Sequence, residues 1–204
     1  VQLIKLIKQQ NQNLPVGAMG SVASSISTPY LDAGAFVISG EPEFFFKQYP
    51  DLDALKSAHG ILRAEVEANL DQLEFPAWNV IFQHSAPQYK LLGLGETFLP
   101  ILASRGCPYS CYHYCTYPLQ QGRKLRTRSA QNIVAEMSHW QDTLGVSLFM
   151  FRDPVFSVNR RHTVQLCEEI IASGRRFKFI VETHLKNLDE ELIQLLKKAG
   201  LTMV

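Results

Sequence analysis

The sequence lacks any long apolar stretch. No uninterrupted run of aliphatic or aromatic residues exceeds about five, against the ~20 needed to span a bilayer as a helix. It also lacks charge imbalance. Twenty Lys and Arg face 19 Asp and Glu, for a net charge of +1, so no global field recruits nucleic acid or an anionic membrane. There is no start methionine, and nothing resembles a signal peptide or its cleavage site. Cysteine is scarce, at four residues in 204, and with no sign of secretion a disulfide framework has little support. What remains is ordinary for a globular protein, with 46% hydrophobic residues and length for one domain or two small ones. The chain opens inside a helical pattern at Val1 and ends on Leu201-Thr202-Met203-Val204, which reads as a strand just begun. It is therefore expected to be a piece of a longer protein.

The few cysteines are concentrated. Cys107, Cys111 and Cys115 fall within nine residues, just after an apolar strand-like stretch, Leu99-Pro100-Ile101-Leu102-Ala103. Gly106 and Pro108 mark a loop between the two. Thiolates are soft donors that suit zinc or an iron–sulfur cluster. Three of them would hold a [4Fe–4S] cluster with one iron open to another ligand. Zinc is the rival, with His113 as fourth ligand, although structural zinc sites usually draw on two short pairs far apart in sequence. A disulfide ranks third. Cys167, far from the trio, is expected to be a small buried hydrophobe.

Along the chain, residues 1–10 place Val1, Leu3, Ile4, Leu6 and Ile7 near one helical face. Leu14–Ala18 reads as a short strand. Thr28-Pro29 reads as an N-cap with proline at the first helical position. Ala35–Ser39 is a buried-type strand, and a helix covers Phe44–Gln48. This order suggests the end of an open α/β sheet. Residues 50–98 are mixed, with a short strand near His59–Leu62, Ala64–Leu70 continuing it or turning helically, and loop over 83–95. From residue 99 strands and helices alternate. Strands are expected at 99–103, 146–151, 177–182 and 201–204. The intervening helices start at the Ser129 cap, around Thr163, and at a capping box of Asn187 and Glu190. Such a repeat makes a parallel sheet with right-handed crossovers, whose sites lie at the carboxyl ends of the strands. Those ends carry the cysteine loop, Arg152-Asp153-Pro154-Val155-Phe156 and Glu182-Thr183-His184. All three are expected at one mouth.

These features resemble the radical S-adenosylmethionine (SAM) enzymes, in particular those with an N-terminal cobalamin-binding domain. That family's signature is C-x3-C-x2-C with an aromatic residue before the last cysteine. Here the spacing is C-x3-C-x3-C, Tyr114 precedes Cys115, and the extra residue falls at Tyr112-His113. Val16-Gly17-Ala18-Met19-Gly20-Ser21 and Gly40-Glu41-Pro42-Glu43 match the glycine turn and the Gly-Glu-x-Glu of the cobalamin-binding domain. Gly17 and Gly20 are expected to let the backbone approach cobalamin. The family's cobalt-coordinating histidine motif would lie upstream of Val1, and His59 and His84 do not match it. Asn69–Trp78 resembles the interdomain linker, with Trp78 and Phe82 expected to pack an interface. Asp153, Phe156, Arg160 and Arg161 match an Asp-x-x-Phe stretch followed by basic residues.

The resemblance implies an α/β fold: the C-terminal part of a Rossmann-like cobalamin-binding domain (1–50), a linker (51–98) and the first half of a partial (β/α)6 radical SAM barrel (99–204). It implies that Cys107, Cys111 and Cys115 hold a [4Fe–4S] cluster whose open iron binds SAM. The Tyr114 backbone would touch the SAM adenine. Asp153 would meet the SAM amino group or, read as a residue alone, cap the next segment. Glu182 would reach the SAM ribose or amino acid moiety, or pair with an arginine. His184 is expected at the surface. Arg123–Arg128 is expected to be a solvated loop, or to supply an arginine for an anionic substrate group. The implied chemistry is reductive cleavage of SAM to methionine and a 5′-deoxyadenosyl radical, with methyl transfer a common outcome when cobalamin is present. The implied partners are a small-molecule substrate and a flavodoxin- or ferredoxin-like electron donor in a reducing cytoplasm, with no nucleic acid and no membrane. A radical SAM enzyme without cobalamin and a zinc-stabilised binding module stay open as alternatives.

Overall fold

Short apolar strands alternating with helices recur along the chain. A computed structural model describes residues 1–63, 66–85, 96–109, 111 and 114–204. The chain divides into two units, Val1–Ala68 with Gly106–Leu125 and Asn69–Arg105 with Arg126–Val204.

The first unit opens with α1 (Gln2–Gln10), which buries Ile4 beside Ala33 and Ala35 and leaves Leu3 and Leu6 exposed. Then come β1 (Gly17–Met19), α2 (Ser21–Ser25), α3 (Thr28–Asp32) and β2 (Phe36–Ser39). Thr28 is the first residue of α3 rather than its cap, with Pro29 in the first turn, where its missing N–H costs nothing. After β2 follow α4 (Glu43–Gln48), α5 (Leu52–Leu55) and β3 (Ile61–Arg63). The strands pair in parallel in the order β1-β2-β3. Val37 and Ile38 of the central strand are fully buried, and Phe45 stacks between Phe36 and Tyr49. Because β3 pairs with β2, the sheet extends past the expected boundary at residue 50. Residues 51–63 are sheet edge and its approach, not linker. Residues 64 and 65 lie outside the described residues.

The second unit begins with a 3-10 turn at Leu70–Gln72, started by the Asn69 side chain, and with α6 (Trp78–Ser85). Phe75, Trp78 and Phe82 pack against the core of this unit, so the expected linker is partly a wall of it. α6 also overlaps the start of the expected loop at 83–95, whose remainder, 86–95, lies outside the described residues. Next come β4 (Phe98–Ile101) and β5 (Ser104–Arg105). The chain then leaves for the segment 106–125, which contains α7 (Tyr117–Gln121) and groups with the first unit. It returns through β6 (Arg126–Thr127), antiparallel to β5, and continues as α8 (Ala130–Leu144), β7 (Leu148–Phe151), α9 (Arg160–Ala172), β8 (Lys178–Ile180), α10 (Glu190–Ala199) and β9 (Leu201–Met203).

The main sheet of this unit runs β4-β7-β8-β9, all parallel. Leu99, Phe149, Phe179 and Leu201 align across the four strands on one face. That row packs with Ile133, Met137, Leu166, Ile170, Leu192 and Leu196 of the helices in one core. Each fully buried side chain of this size contributes about 1.5–3 kcal/mol relative to exposure. Ser129 caps α8, accepting from Asn132 N–H, as its sequence predicts. Asn187, the expected cap of α10, instead ends a 3-10 turn, and Asp189 accepts from Leu192 N–H in its place. Among the described residues no helix is long and apolar enough to cross a membrane.

Candidate cofactor sites

The cysteine segment starts at a glycine for a steric reason. Gly106 has φ +90°, and a Cβ there would overlap the Lys124 carbonyl oxygen. Only glycine combines that φ with that approach. The segment is then closed across its base. Gly106 N–H donates to Gln121 Oε1 (3.2 Å), Cys107 N–H to the Gly122 carbonyl (3.1 Å), and Arg123 Nη1 to the Tyr109 carbonyl (3.4 Å). All three thiols are free of disulfides, with Cys107 buried, Cys111 exposed and Cys115 half-buried. As soft donors on one short loop they suit an iron–sulfur cluster or zinc. Among the described residues no three His, Cys, Asp or Glu side chains are gathered closely enough to hold a metal ion. Ser110, Tyr112 and His113 lie outside the described residues. Tyr114 is 81% exposed.

Helix α7, which follows the thiols, packs on α2 of the same unit. Its Gln120 lies against both glycine turns of the first sheet. A Cβ at Gly20 would meet the Gln120 amide nitrogen at 3.7 Å, and one at Gly40 the Gln120 carbonyl at 3.9 Å. Gly20 has φ +105°, so the turn after β1 also depends on glycine. Gly17 differs from expectation. A Cβ there would fall 2.5 Å from the Phe36 ring, so its missing side chain accommodates a neighbouring aromatic of the same sheet.

In the second unit the strand ends are stapled to one another. The Asp153 carboxylate, just past β7, is fully enclosed. It accepts from Ala103 N–H (3.0 Å) and from the Ser104 hydroxyl (2.5 Å). Burial pushes its carboxyl up to about 6, and these hydrogen bonds pull it part of the way back. Direct contact with a SAM amino group, the expectation for this residue, finds no exposed atom. The carboxylate instead binds the end of β4 to the end of β7. Glu182 pairs with Arg152 at 2.5 Å, both about half exposed, which is the arginine pairing weighed from the sequence. Ser157 N–H and hydroxyl both meet Thr183 Oγ1, at 3.2 and 2.5 Å. His184 is exposed, and its Nδ1 accepts from Lys186 N–H.

The residues that sequence reasoning missed lie in the basic stretch. Arg128 is neither solvated nor free for a substrate. Its Nη1 donates to the Leu102 carbonyl (3.0 Å) and pairs with Glu136 Oε2 (2.5 Å), its Nε donates to Asn132 Oδ1 (2.7 Å), and the guanidinium lies 5.7 Å from the Phe75 ring centre. Burial raises the Glu136 carboxyl, with the Arg128 charge opposing that rise. The His162 ring donates from Nε2 to the Arg128 carbonyl at 2.7 Å, and burial lowers its basicity. The available signal was the i, i+4 and i, i+8 spacing of Arg128, Asn132 and Glu136 on one helical face. Beside this network a cavity of about 230 Å³ is lined by apolar residues such as Leu73, Pro76, Trp78, Pro100 and Leu102 and by the charged Glu74, Arg105, Arg128, Glu136 and Arg152.

Comparison with known proteins gives a consistent result. No protein-family model matches the sequence. The chain is 24% identical over 187 residues to an uncharacterized methyltransferase of Pyrococcus horikoshii, covering 84% of this chain and 39% of that protein. It is 30% identical over 133 residues to the anaerobic magnesium-protoporphyrin IX monomethyl ester cyclase of Cereibacter sphaeroides, covering 63% of this chain and 21% of that enzyme. Its fold matches that of the radical S-adenosylmethionine methyltransferase TsrM of Kitasatospora setae, solved with cobalamin and a [4Fe-4S] cluster bound. The TM-score is 0.71 at 19% identity, over 98% of this chain and 43% of that one. The chain thus spans about two fifths of the length of the Pyrococcus and Kitasatospora proteins. With a parallel α/β fold matched over nearly its whole length, the chain is similar in fold to a radical S-adenosylmethionine methyltransferase and in sequence to the Pyrococcus and Cereibacter proteins.

Proposed function

We propose that the chain is the cofactor-holding part of a cobalamin-dependent radical SAM enzyme, and that the whole protein transfers a methyl group to a small molecule. The observation that carries this reading is the placement of the cysteine segment. Three free thiols precede a helix that packs against the Gly20 and Gly40 turns of the same unit. In this reading Cys107, Cys111 and Cys115 hold a [4Fe–4S] cluster, and Gly20 marks the turn approached by cobalamin. When bound, the cluster would supply the electron that splits SAM to methionine and a 5′-deoxyadenosyl radical, and cobalamin would supply a methyl carrier.

The tasks of the chain itself follow from its geometry. The thiols must lose their protons to ligate metal, and loading draws together a buried, an exposed and a half-buried cysteine. The exposed stretch at Tyr114 offers its backbone to the adenine. The half-exposed Arg152–Glu182 pair can exchange partners with the charged groups of the SAM amino acid moiety. Asp153 acts one step back, by holding the strand end. A flavodoxin- or ferredoxin-like protein is the proposed electron donor, and the oxygen sensitivity of such a cluster argues for a reducing cytoplasm. Similarity to a cyclase keeps ring-forming oxidation as the second reading of the reaction.

The test is iron, sulfide and zinc content after anaerobic reconstitution, with electron paramagnetic resonance of the reduced protein with and without SAM. About four iron and four sulfide per chain, with a spectrum that SAM alters, is the expected result. Bound zinc, or a spectrum indifferent to SAM, would overturn the reading.

A further inference from the structure

The chain corner Leu102–Ser104, immediately before the cysteine segment, has its polar groups held by two residues of opposite charge. From the α8 side, Arg128 Nη1 donates to the Leu102 carbonyl at 3.0 Å, and Arg128 N–H donates to the Ala103 carbonyl at 2.9 Å. From the β7 side, the Asp153 carboxylate takes Ala103 N–H and the Ser104 hydroxyl. Both residues are anchored more firmly than a loop contact requires. The Arg128 side chain is 11% exposed and its partner Glu136 is 3% exposed. The Arg128 carbonyl is fixed in turn by His162 of α9. The returning strand is tied to the same place, since Thr127 pairs with Ser104 and Arg126 with Arg105. Both crossings of the neck that leads to and from the thiols are therefore set by one buried cluster. An exposed salt bridge of this kind would contribute little, whereas a buried guanidinium with its fork fully used fixes geometry that a lysine cannot reproduce.

We propose that Arg128 is a positioning residue. With Asp153 it locks the corner from which the cysteine segment departs. The proposal rests on the cluster-holding role given to those thiols above, and it adds residues that touch neither cluster nor SAM.

The test compares three forms of the protein: unmodified, Arg128→Lys and Ile170→Ala. Ile170 is a buried core residue outside the hydrogen bonds of the corner, so its truncation lowers stability while leaving the Arg128 and Asp153 hydrogen bonds in place. Hydrogen exchange of the Ala103 and Ser104 amides is measured on the metal-free proteins. The SAM-induced change in the electron paramagnetic resonance spectrum is titrated on the reconstituted ones. Arg128→Lys is expected to speed exchange at both amides at least tenfold beyond Ile170→Ala. It is also expected to raise the SAM concentration for half-maximal spectral change at least fivefold, while Ile170→Ala leaves that concentration unchanged. Equal exchange in the two variants, or an equal SAM response, overturns the positioning role. If the unmodified protein shows no SAM-responsive cluster, the radical SAM reading falls, and the exchange comparison still decides whether Arg128 locks the corner.

Discussion

Asp153 sits where charge is disfavoured. The groups that meet its carboxylate are neutral donors, the amides and hydroxyl of the 103–104 corner. Its folded-state value of about 6 lies above the ordinary 3.8, so the folded chain binds this proton more tightly than the unfolded chain. The stabilisation from the group is fully present below about pH 4, is lost as pH rises to about 6, and is constant above that. The whole change is on the order of 3 kcal/mol. Urea unfolding of the unmodified protein from pH 4 to 7 is expected to show this decline, and the Asp153→Asn protein to lack it. Matching profiles would remove Asp153 as the cause. At Gly106 the expectation is steric. Gly106→Ala combines a positive φ with a collision against the Lys124 carbonyl, and should lower unfolding free energy by roughly 1–3 kcal/mol in chemical denaturation. The sequence made both positions visible, Asp153 by its place after an apolar strand and Gly106 by its place before the thiols. It hid the depth at which Asp153 is buried, because enclosure depends on residues 50 positions away.

At the scale of elements, the legible features were those with a local cause. The helices after Ser129 and before Gly145 and Gly200 follow from caps and periodicity. Ser129→Ala should therefore cost about 1 kcal/mol of stability, read as a lower denaturation midpoint, with the fold retained by circular dichroism. The parallel strands were legible from short apolar runs bounded by turn residues. Two kinds of element were not. The β5/β6 ribbon has two residues per strand, too few for any alternation to register. The cap of α10 moved from Asn187 to Asp189 because a 3-10 turn used the residues that the capping-box spacing had assigned to the helix. Arg128 was likewise read as part of a basic loop, since its charged partner, Glu136, lies two turns into the following helix and its other contacts come from β4 and α9.

For the whole molecule, the α/β class and the parallel strands were accessible, and the division into units was not. A boundary near residue 50 ignored the pairing of β3 with β2, and no local signal reports that 106–125 groups with the first unit. Changing Cys107, Cys111 and Cys115 together to Ala tests the weight of the metal in the fold. Under the cluster reading the triple variant should lose iron and sulfide and still unfold cooperatively, because among the described residues none of the packed apolar clusters includes these side chains, although Cys107 is itself buried. A triple variant unable to fold would instead point to structural zinc, which contributes folding energy outright.

The chain passes between its two units three times, after residues 68, 105 and 125. During synthesis the first unit therefore stays incomplete after Ala68 has left the ribosome. Its last helix is made only once the leading strands of the second unit have emerged, a delay of several seconds at about 5–20 residues per second. In that interval the surface of α2 that α7 will cover is open to the solvent and to chaperones, and a nascent chain stalled before Gln121 would expose it for as long as the stall lasts.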